Sequence, residues 1–469
     1  MKKVLLTVHK FFPEHRAGTE VLTLNIAKEL QERGYEVLVV TANPPDLDAR
    51  RKEGDKQETS SYEYEGVPVH VIEEPLRLKD YRFSYEYDHP HIASHFRKLL
   101  ADFKPDLVQI VHAQNHSAAV IDVARELQIP VVFYSTDFWF VCPIVQLKRP
   151  DGSICRGPGP GAIKCLDCYT PKLFPPLSEF KEALGVKYPL AANKSSALHS
   201  AAVKGLYSAY IASKLPDATK ATLKRPAKLR DTANKMQAIL VPTRLMRDVF
   251  VENGIDAKLI HHVPFGIHLE ALTAHIQKSP SDVVRIAFIG TLFEHKGVDL
   301  LIKAFLALPA EAKCNLSIYG STEQFPEYSK KLLDMAFDGS QNAKKISFKG
   351  TFPQAQFGEI LAGIDVLVIP SRWYENTPLV MQSALATRTP LIATDLGGMA
   401  EIIEHDKTGL LFKLNSADSL KEQLLRIVNE PAILTRFRAA IKPERSVQDM
   451  VDDIEKIYAP YLRIPTSVG

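Results

Sequence analysis

Residues 370–412 read PSRWYENTPLVMQSALATRTPLIATDLGGMAEIIEHDKTGLLF, and this stretch decides the fold. It follows the apolar run DVLVIP and then alternates: a helix from Pro378, the strand PLIAT, a short helix and the strand GLLF. Apolar runs this short suit strands buried on both faces, as a parallel sheet requires. Upstream the same rhythm starts at RIAFIG (285–290) and continues through a helix from Gly297, NLSIYG, a helix near 325–337, KISFKG and a helix from Pro353. A separate series opens the chain. Val4 to Val8 is a continuous apolar run, followed by a loop with Pro13 and Gly18. The segment TEVLTLNIAKELQERG then reads as an amphipathic helix, with Thr19 as cap, Glu20 at the positive end and Gly34 as the stop. The strand EVLVVTA follows, then VPVHVI, a helix near 89–103, DLVQIV, a helix near 116–128 and PVVFYS. Each half is therefore expected to be a doubly wound α/β unit with right-handed crossovers. Ligands of such sheets sit at the carboxyl ends of the strands.

A chain of 469 residues exceeds what one core usually serves, which agrees with two domains. The expected division is an N-terminal Rossmann-like domain over 1–270, a C-terminal one over 281–440, and a helix within 441–469 that packs back on the first domain. The 58 basic and 55 acidic residues leave a net charge of +3, too balanced to point to nucleic acid. No apolar run approaches the ~18 residues that span a bilayer. The start MKKVLLTVHKFFPEHR has a basic end and a short apolar run, but the run is too short for a signal core and no small-residue cleavage site follows. A first strand and a cytoplasmic location are expected, with thiols kept reduced.

Residues 142–235 break the alternation and read as an insertion in the first domain. Cys142, Cys155, Cys165 and Cys168 lie at its start, the last two as C-x2-C, in a stretch rich in turn-forming residues. Four thiolates can hold a tetrahedral structural Zn²⁺, with an iron–sulfur cluster, disulfides or unliganded thiols as the alternatives. Cys314 begins an apolar strand and reads as a core residue. Residues 214–235 carry seven Lys/Arg against two Asp. A solvated helical face is the plainer explanation; peripheral docking on anionic lipid at the inner face of the membrane is the sharper one.

The stretch 370–412 resembles the donor-binding region of glycosyltransferase family 4, whose members have the GT-B fold: two Rossmann-like doubly wound parallel-sheet domains facing a central cleft. The resemblance covers the second half well and the first at several points. It implies a nucleoside diphosphate sugar as donor, a hydroxyl acceptor on a glycan or lipid-linked glycan, and mostly retention of anomeric configuration. Glu375 matches the first Glu of the family's E-x7-E pattern and is implied to bind the donor sugar's hydroxyls. A carboxylate suits that task because it accepts two hydroxyl hydrogen bonds at fixed geometry. Its plainer reading is an acid that serves only a helix dipole. Asn376 and Thr377 precede Pro378 at the helix start, where free N–H groups could face phosphates. The chain departs from the pattern at Ser383, where the family has a second Glu for the ribose and a serine can still hydrogen-bond a hydroxyl, though it is shorter and uncharged, and at Arg388, where a small residue is usual.

FIGTLFEHKG (288–297) resembles the family's diphosphate loop. Lys296 matches its phosphate-contacting Lys, Gly290 gives the tight strand exit, and Thr291 stands where Arg is frequent. In the first loop Gly18 matches the close-approach requirement, with Lys10 and Arg16 adding charge. In DLVQIVHAQNHS (106–117), His112 lies near a His that touches the donor sugar, with His116 as runner-up. The two His at a spacing of four could also sit on one helix face as metal ligands, without an evident third. Asp137 in STDFWF is placed at a strand end, to contact the acceptor hydroxyl or to cap a turn. No cofactor is expected at the diphosphate, since no acidic Asp-x-Asp donor site accompanies these loops. The competing reading is a non-catalytic nucleotide-sugar-binding or assembly protein, with Ser383, Arg388 and Thr291 in its favour; a sugar-nucleotide epimerase would need acidic groups that no motif supplies.

Overall fold

The computed structural model describes residues 1–43, 59–73, 82–174 and 194–462. The chain divides into two compact units: Met1–Leu240 with Val249–His261 and the chain from Tyr461, and Val241–Asp248 with His262–Pro460. The part of the insertion between 175 and 193 lies outside the described residues.

The first unit is built on an eight-stranded sheet of order β3-β4-β2-β1-β5-β6-β7-β8. Its strands are β1 (Lys3–Val8), β2 (Glu36–Asn43), β3 (Thr59–Tyr64), β4 (Val67–Glu73), β5 (Leu107–Ile110), β6 (Val131–Tyr134), β7 (Ala238–Val241) and β8 (Ile260–His262). From β4 through β7 the ladders are parallel, and β3 adds an antiparallel edge. β1 is central, with Leu5 paired to Leu38 on one side and Val108 on the other. Its Val4, Leu5, Leu6 and Val8 are fully buried, the burial expected for an apolar run covered on both faces. Helices α1 (Gly18–Glu32), α2 (Pro90–Phe103) and α3 (Ala119–Glu126) connect the strands. The insertion carries α4 (Ile163–Leu173) and the long α5 (Lys194–Ala233), against which α4 packs.

The second unit holds a six-stranded parallel sheet of order β11-β10-β9-β12-β13-β14. Its strands are β9 (Val284–Ile289), β10 (Cys314–Tyr319), β11 (Ile346–Gly350), β12 (Val366–Ile369), β13 (Leu391–Thr394) and β14 (Gly409–Phe412). Ile286 of β9 pairs with Leu316 and Val366. Alternate strand residues feed two separate cores. One packs under α6 (Val298–Leu306) and α9 (Ala417–Asn429). The other packs under α7 (Leu379–Ala386) and α8 (Gly397–Ile402). Cys314 is buried in the first of these, as a core residue. Helix α10 (Val447–Tyr458) groups with the second unit, while the Tyr461 hydroxyl donates to the Gln237 carbonyl within the first at 3.1 Å. No helix among the described residues is long and apolar enough to cross a membrane.

In both sheets the strand order reverses beside the first strand of the unit, at β1/β5 and at β9/β12. At such a switch point neighbouring loops leave in opposite directions and open a crevice at the strand ends. These two places are where functional side chains are to be sought.

One buried ion pair fastens the insertion to the first unit. Arg225 of α5 is 1% exposed, donates to both oxygens of Glu86 at 2.7 and 2.9 Å, and to the Trp139 carbonyl at 2.8 Å. Its guanidinium also lies 4.8 Å from the centre of the Trp139 ring. Removing one partner of such a pair strands the other's charge, which typically costs about 3–5 kcal/mol. Arg225→Met should therefore lower the unfolding free energy by about 3 kcal/mol in urea denaturation. Arg225→Met with Glu86→Leu should recover part of that loss; an unchanged midpoint in the single variant would refute this role.

Candidate functional site

In the second unit a glycine lets the loops after β9 and β12 approach closely. Gly297 has φ +70°, and a Cβ there would lie 2.0 Å from the Pro370 carbonyl oxygen. Only glycine combines that backbone conformation with that approach. The preceding residue, Lys296, thereby reaches Glu375, which lies five residues beyond Pro370. The Lys296 ammonium donates to Glu375 Oε1 at 2.6 Å. The Ser371 hydroxyl and the Trp373 indole N–H donate to the same oxygen, each at 2.8 Å. Among the described residues Oε2 receives no donor. Burial pushes the Glu375 carboxyl upward, but the Lys296 charge and then the Lys296, Ser371 and Trp373 hydrogen bonds outweigh it, and the group is held below its ordinary value. Glu375 is thus a charged carboxylate only 7% exposed, with one oxygen anchored.

The same loops carry an aromatic wall. Lys296 lies over the Trp373 ring at 5.7 Å, and the rings of Trp373 and His295 are 4.5 Å apart. Arg372 ties the loops twice, through its N–H to the His295 carbonyl at 2.7 Å and its guanidinium to Asp299 at 2.9 Å. Tyr328 donates to the other Asp299 oxygen at 2.8 Å. Gly290 and Thr291 form the exit of β9, with the Gly290 N–H on the Tyr319 carbonyl at 3.1 Å. Asn376 and Thr377 lie in the turn before α7, which begins at Leu379 with Pro378 as its cap residue. A Cβ on Gly398 would lie 1.8 Å from the Asn376 carbonyl oxygen, so the start of α8 presses on that turn. Ser383 is buried on α7 and donates to the Leu379 carbonyl one turn back at 2.9 Å. Arg388 takes a left-handed conformation after α7, with φ +51°.

In the first unit the corresponding loops bring His112 and Asp137 together. His112 follows β5 and is anchored on β1, its N–H donating to the Thr7 carbonyl at 3.1 Å. The Gln114 N–H donates to His112 Nδ1 at 3.0 Å, which makes Nδ1 an acceptor and puts the proton of the neutral ring on Nε2. Nε2 then donates to Asp137 Oδ2 at 2.5 Å. The other Asp137 oxygen accepts the Trp139 N–H at 2.8 Å. Asp137 therefore both caps its turn and holds the histidine. The sequence signalled the two singly; their pairing comes from β5 and β6 being neighbours.

Three further assignments are decided by geometry. His116 is no partner of His112 on a helix, because 112–116 is not helical. It is a fully buried core histidine whose Nε2 donates to the Val8 carbonyl at 2.8 Å. Gly18 opens α1 with no atom within 4 Å of the space a Cβ would take. The cysteines are free thiols, and among the described residues no three His, Cys, Asp or Glu are gathered as a ready ion site. Sequence reasoning missed His9 and gave Glu20 only a helix-end role. The His9 ring lies 4.2 Å from that of His112, and its Nε2 is 3.6 Å from the buried Glu20 carboxylate. His9 follows β1, the strand beside β5, and that adjacency was its only available signal.

Burial lowers the His116 pKa from 6.5 to about 4. The folded state keeps the ring neutral while the unfolded chain binds a proton below 6.5. Stability is therefore lost as pH falls through the window from 6.5 to about 4. The full loss is on the order of 3 kcal/mol, at about 1.4 kcal/mol per pH unit. Urea denaturation across that window should show a steeper decline for wild type than for His116→Gln. Parallel declines would show that the ring does not titrate in this way.

Comparison with known proteins adds the following. Residues 273–444 match the family described as Glycosyl transferases group 1, and residues 16–148 match Glycosyltransferase Family 4. The chain is similar to the amylovoran biosynthesis glycosyltransferase AmsK of Erwinia amylovora, at 26% identity over 219 residues, 44% of this chain and 52% of that protein. It is also similar to glycogen synthase of Thermodesulfovibrio yellowstonii, at 31% identity over 179 residues, 37% of this chain and 34% of that one. It thus spans about half of the first relative's length and a third of the second's. Among solved structures, Anabaena HepE in complex with UDP and glucose superposes with a TM-score of 0.61 at 15% identity, covering 98% of this chain and 100% of that one. At that identity the likeness shows the fold. The chain therefore has the GT-B fold and carries a Glycosyl transferases group 1 domain together with a Glycosyltransferase Family 4 domain.

Proposed function

We propose that this protein is a glycosyltransferase that moves a sugar from a nucleoside diphosphate sugar to a hydroxyl of a glycan or lipid-linked glycan, with retention of anomeric configuration. The observation that carries this reading is the Glu375 carboxylate. Its Oε1 is held by Lys296, Ser371 and Trp373, and its Oε2 has no donor among the described residues. A charged carboxylate with one oxygen anchored and the other without a donor among the described residues is suited to accept the hydroxyls of a sugar. Lys296 supplies positive charge beside it for the departing diphosphate, whose charge grows as the glycosidic bond breaks. Gly290, Thr291, Asn376 and Thr377 line the turns around these groups, and Ser383 takes the place of the ribose-binding Glu with a shorter, uncharged hydroxyl. The first unit is assigned to the acceptor side, with Asp137, held by His112, as the contact for the acceptor hydroxyl. The complex of HepE with UDP and glucose supports a donor of this class, and the amylovoran role of AmsK supports a glycan acceptor.

The second reading is a non-catalytic nucleotide-sugar binder, motivated by Ser383: its hydroxyl hydrogen goes to the Leu379 carbonyl, so it can only accept from a ribose hydroxyl where the family has a carboxylate. A panel of nucleotide-sugars in thermal shift, followed by assay of nucleoside diphosphate release, separates the two. A matching donor should raise Tm, because it binds only the folded state. Glu375→Ala should cut kcat/KM by about 100-fold or more, a loss of about 2.7 kcal/mol or more in transition-state stabilisation. Binding without release from any donor, with acceptor extract present, would favour the non-catalytic reading. No binding at all would remove both.

The site of action is assigned to the cytoplasmic face of an anionic membrane. On α5, Leu215, Pro216, Thr219, Lys220, Leu223 and Lys224 line one shallow groove, with Leu215 and Leu223 about two-fifths exposed. Apolar side chains flanked by lysines suit the interface of an anionic bilayer. Flotation with phosphatidylglycerol vesicles should recover wild type and lose Leu215→Glu/Leu223→Glu. Equal recovery of both proteins, or none of either, would remove this surface from the reading.

A further inference from the structure

Where β1 and β5 end, the first unit holds two titratable side chains that no step of the proposed reaction uses. Glu20 is 2% exposed in the first turn of α1. His9, in the loop after β1, faces it, with Nε2 3.6 Å from Glu20 Oε1. The same His9 ring lies against that of His112, the centroids 4.2 Å apart and the planes inclined by 38°. Packing alone would be served by apolar residues, because burial disfavours the charged form of an acid and of an imidazole alike. Burial, and then the neighbouring His112, lowers the His9 pKa well below its ordinary value, so the ring is neutral. Its one proton belongs on Nε2, which faces the carboxylate, while Nδ1 meets no partner among the described residues. Burial pushes the Glu20 carboxyl up, and the N–H groups of Glu20 and Ala17 offset part of that.

The backbone sets this meeting. The His112 N–H donates to the Thr7 carbonyl at 3.1 Å, and the Thr7 hydroxyl donates back to the His112 carbonyl at 3.3 Å. Two residues further on, the His9 carbonyl accepts the Asn115 side-chain amide at 3.1 Å. The end of β1 and the turn 112–115 are thus stitched three times, which sets the two rings side by side. The His112 ring is held in its own plane at two atoms, by the Gln114 N–H on Nδ1 and by Asp137 on Nε2. Two in-plane contacts fix where the N–H points, but leave the ring free to tip about the line that joins them. A contact on the ring face opposes that motion, and the His9 ring supplies it.

We propose that His9 is a positioning residue for the transfer: it presses on the face of His112, is itself turned by Glu20, and so fixes the side chain of Asp137. The proposal rests on the assignment of Asp137 as the contact for the acceptor hydroxyl. His9 acts through His112 and makes no bond to the substrate. A reacting group displaced by a fraction of its contact distance loses rate without losing the binding made elsewhere, so the step affected is the chemistry and not the capture of donor.

The test compares full-length wild type with His9→Ala, which loses the ring, and His9→Phe, which keeps a ring face without nitrogens. With a donor and acceptor that support transfer, His9→Ala should lower kcat by about 30-fold and leave the donor KM within about 2-fold. His9→Phe should recover most of that loss. Long-range proton–nitrogen NMR of histidine-labelled protein gives a readout that needs no transfer, with the His112 signal assigned by its absence from His112→Gln. Wild type and His9→Phe should show His112 as a single Nε2–H tautomer, and His9→Ala should show it averaged between two. Wild-type kcat or an unaltered His112 signal in His9→Ala would overturn the proposal. So would a loss in His9→Phe as large as that in His9→Ala. If no donor supports transfer by wild type, the glycosyltransferase reading fails, and the His112 spectra alone still decide whether His9 holds the ring. If His9→Ala does not fold, Glu20→Leu takes its place: an averaged His112 signal supports the proposal, and a wild-type signal overturns it.

Discussion

Glu375 is a charged carboxylate taken out of water, and most of the second unit's local architecture follows from compensating it. Desolvation alone would favour the neutral acid. A cation from a distant loop, joined by the Ser371 and Trp373 hydrogen bonds, reverses that, but the cation arrives only if the loop after β9 lies against the end of β12. Gly297 permits the approach, because any side chain there would collide with the Pro370 carbonyl. The approach in turn presupposes that β9 and β12 are neighbours, the one adjacency at which a doubly wound sheet reverses its order. Among the described residues one oxygen of Glu375 takes every donor, and in the proposed reading the other is left for a ligand.

The first unit repeats the topology with different chemistry. Its switch point joins the ends of β1 and β5, and the residues there are His9 and His112. The proton of His112 is assigned by two contacts, the Gln114 N–H on one nitrogen and Asp137 on the other. Asp137 is fixed by the Trp139 N–H, and Trp139 in turn lies under the buried Arg225. A single connected path therefore runs from the insertion to the histidine. Cys142 lies at the foot of that path, its N–H on the Phe138 carbonyl.

Much of this was legible before any coordinates. The strands of both sheets are short apolar runs, and a run buried on both faces has few other places to go. Lys296 and Glu375 were marked by the loops they stand in, and Cys314 by the strand it opens. What stayed hidden is non-local. His112 and Asp137 were read one at a time because only strand order makes them partners. His116 sits four residues from His112, a helical spacing, yet the segment is a turn and the ring faces the core. Trp373 and Ser371 carried no signal in the sequence, because their task is to hold a neighbour's oxygen. Ser383 was read as a substitute ribose contact, while its hydroxyl bonds within its own helix.

The central claim is that the donor sugar is held by the carboxylate at the β9/β12 switch point. The most direct measurement is a crystal structure of the protein with an intact nucleoside diphosphate sugar selected by thermal shift. The account predicts sugar hydroxyls on Glu375 Oε2, with the diphosphate against the loop that carries Lys296. A sugar bound away from Glu375, with that carboxylate still facing only its three protein donors, would contradict it.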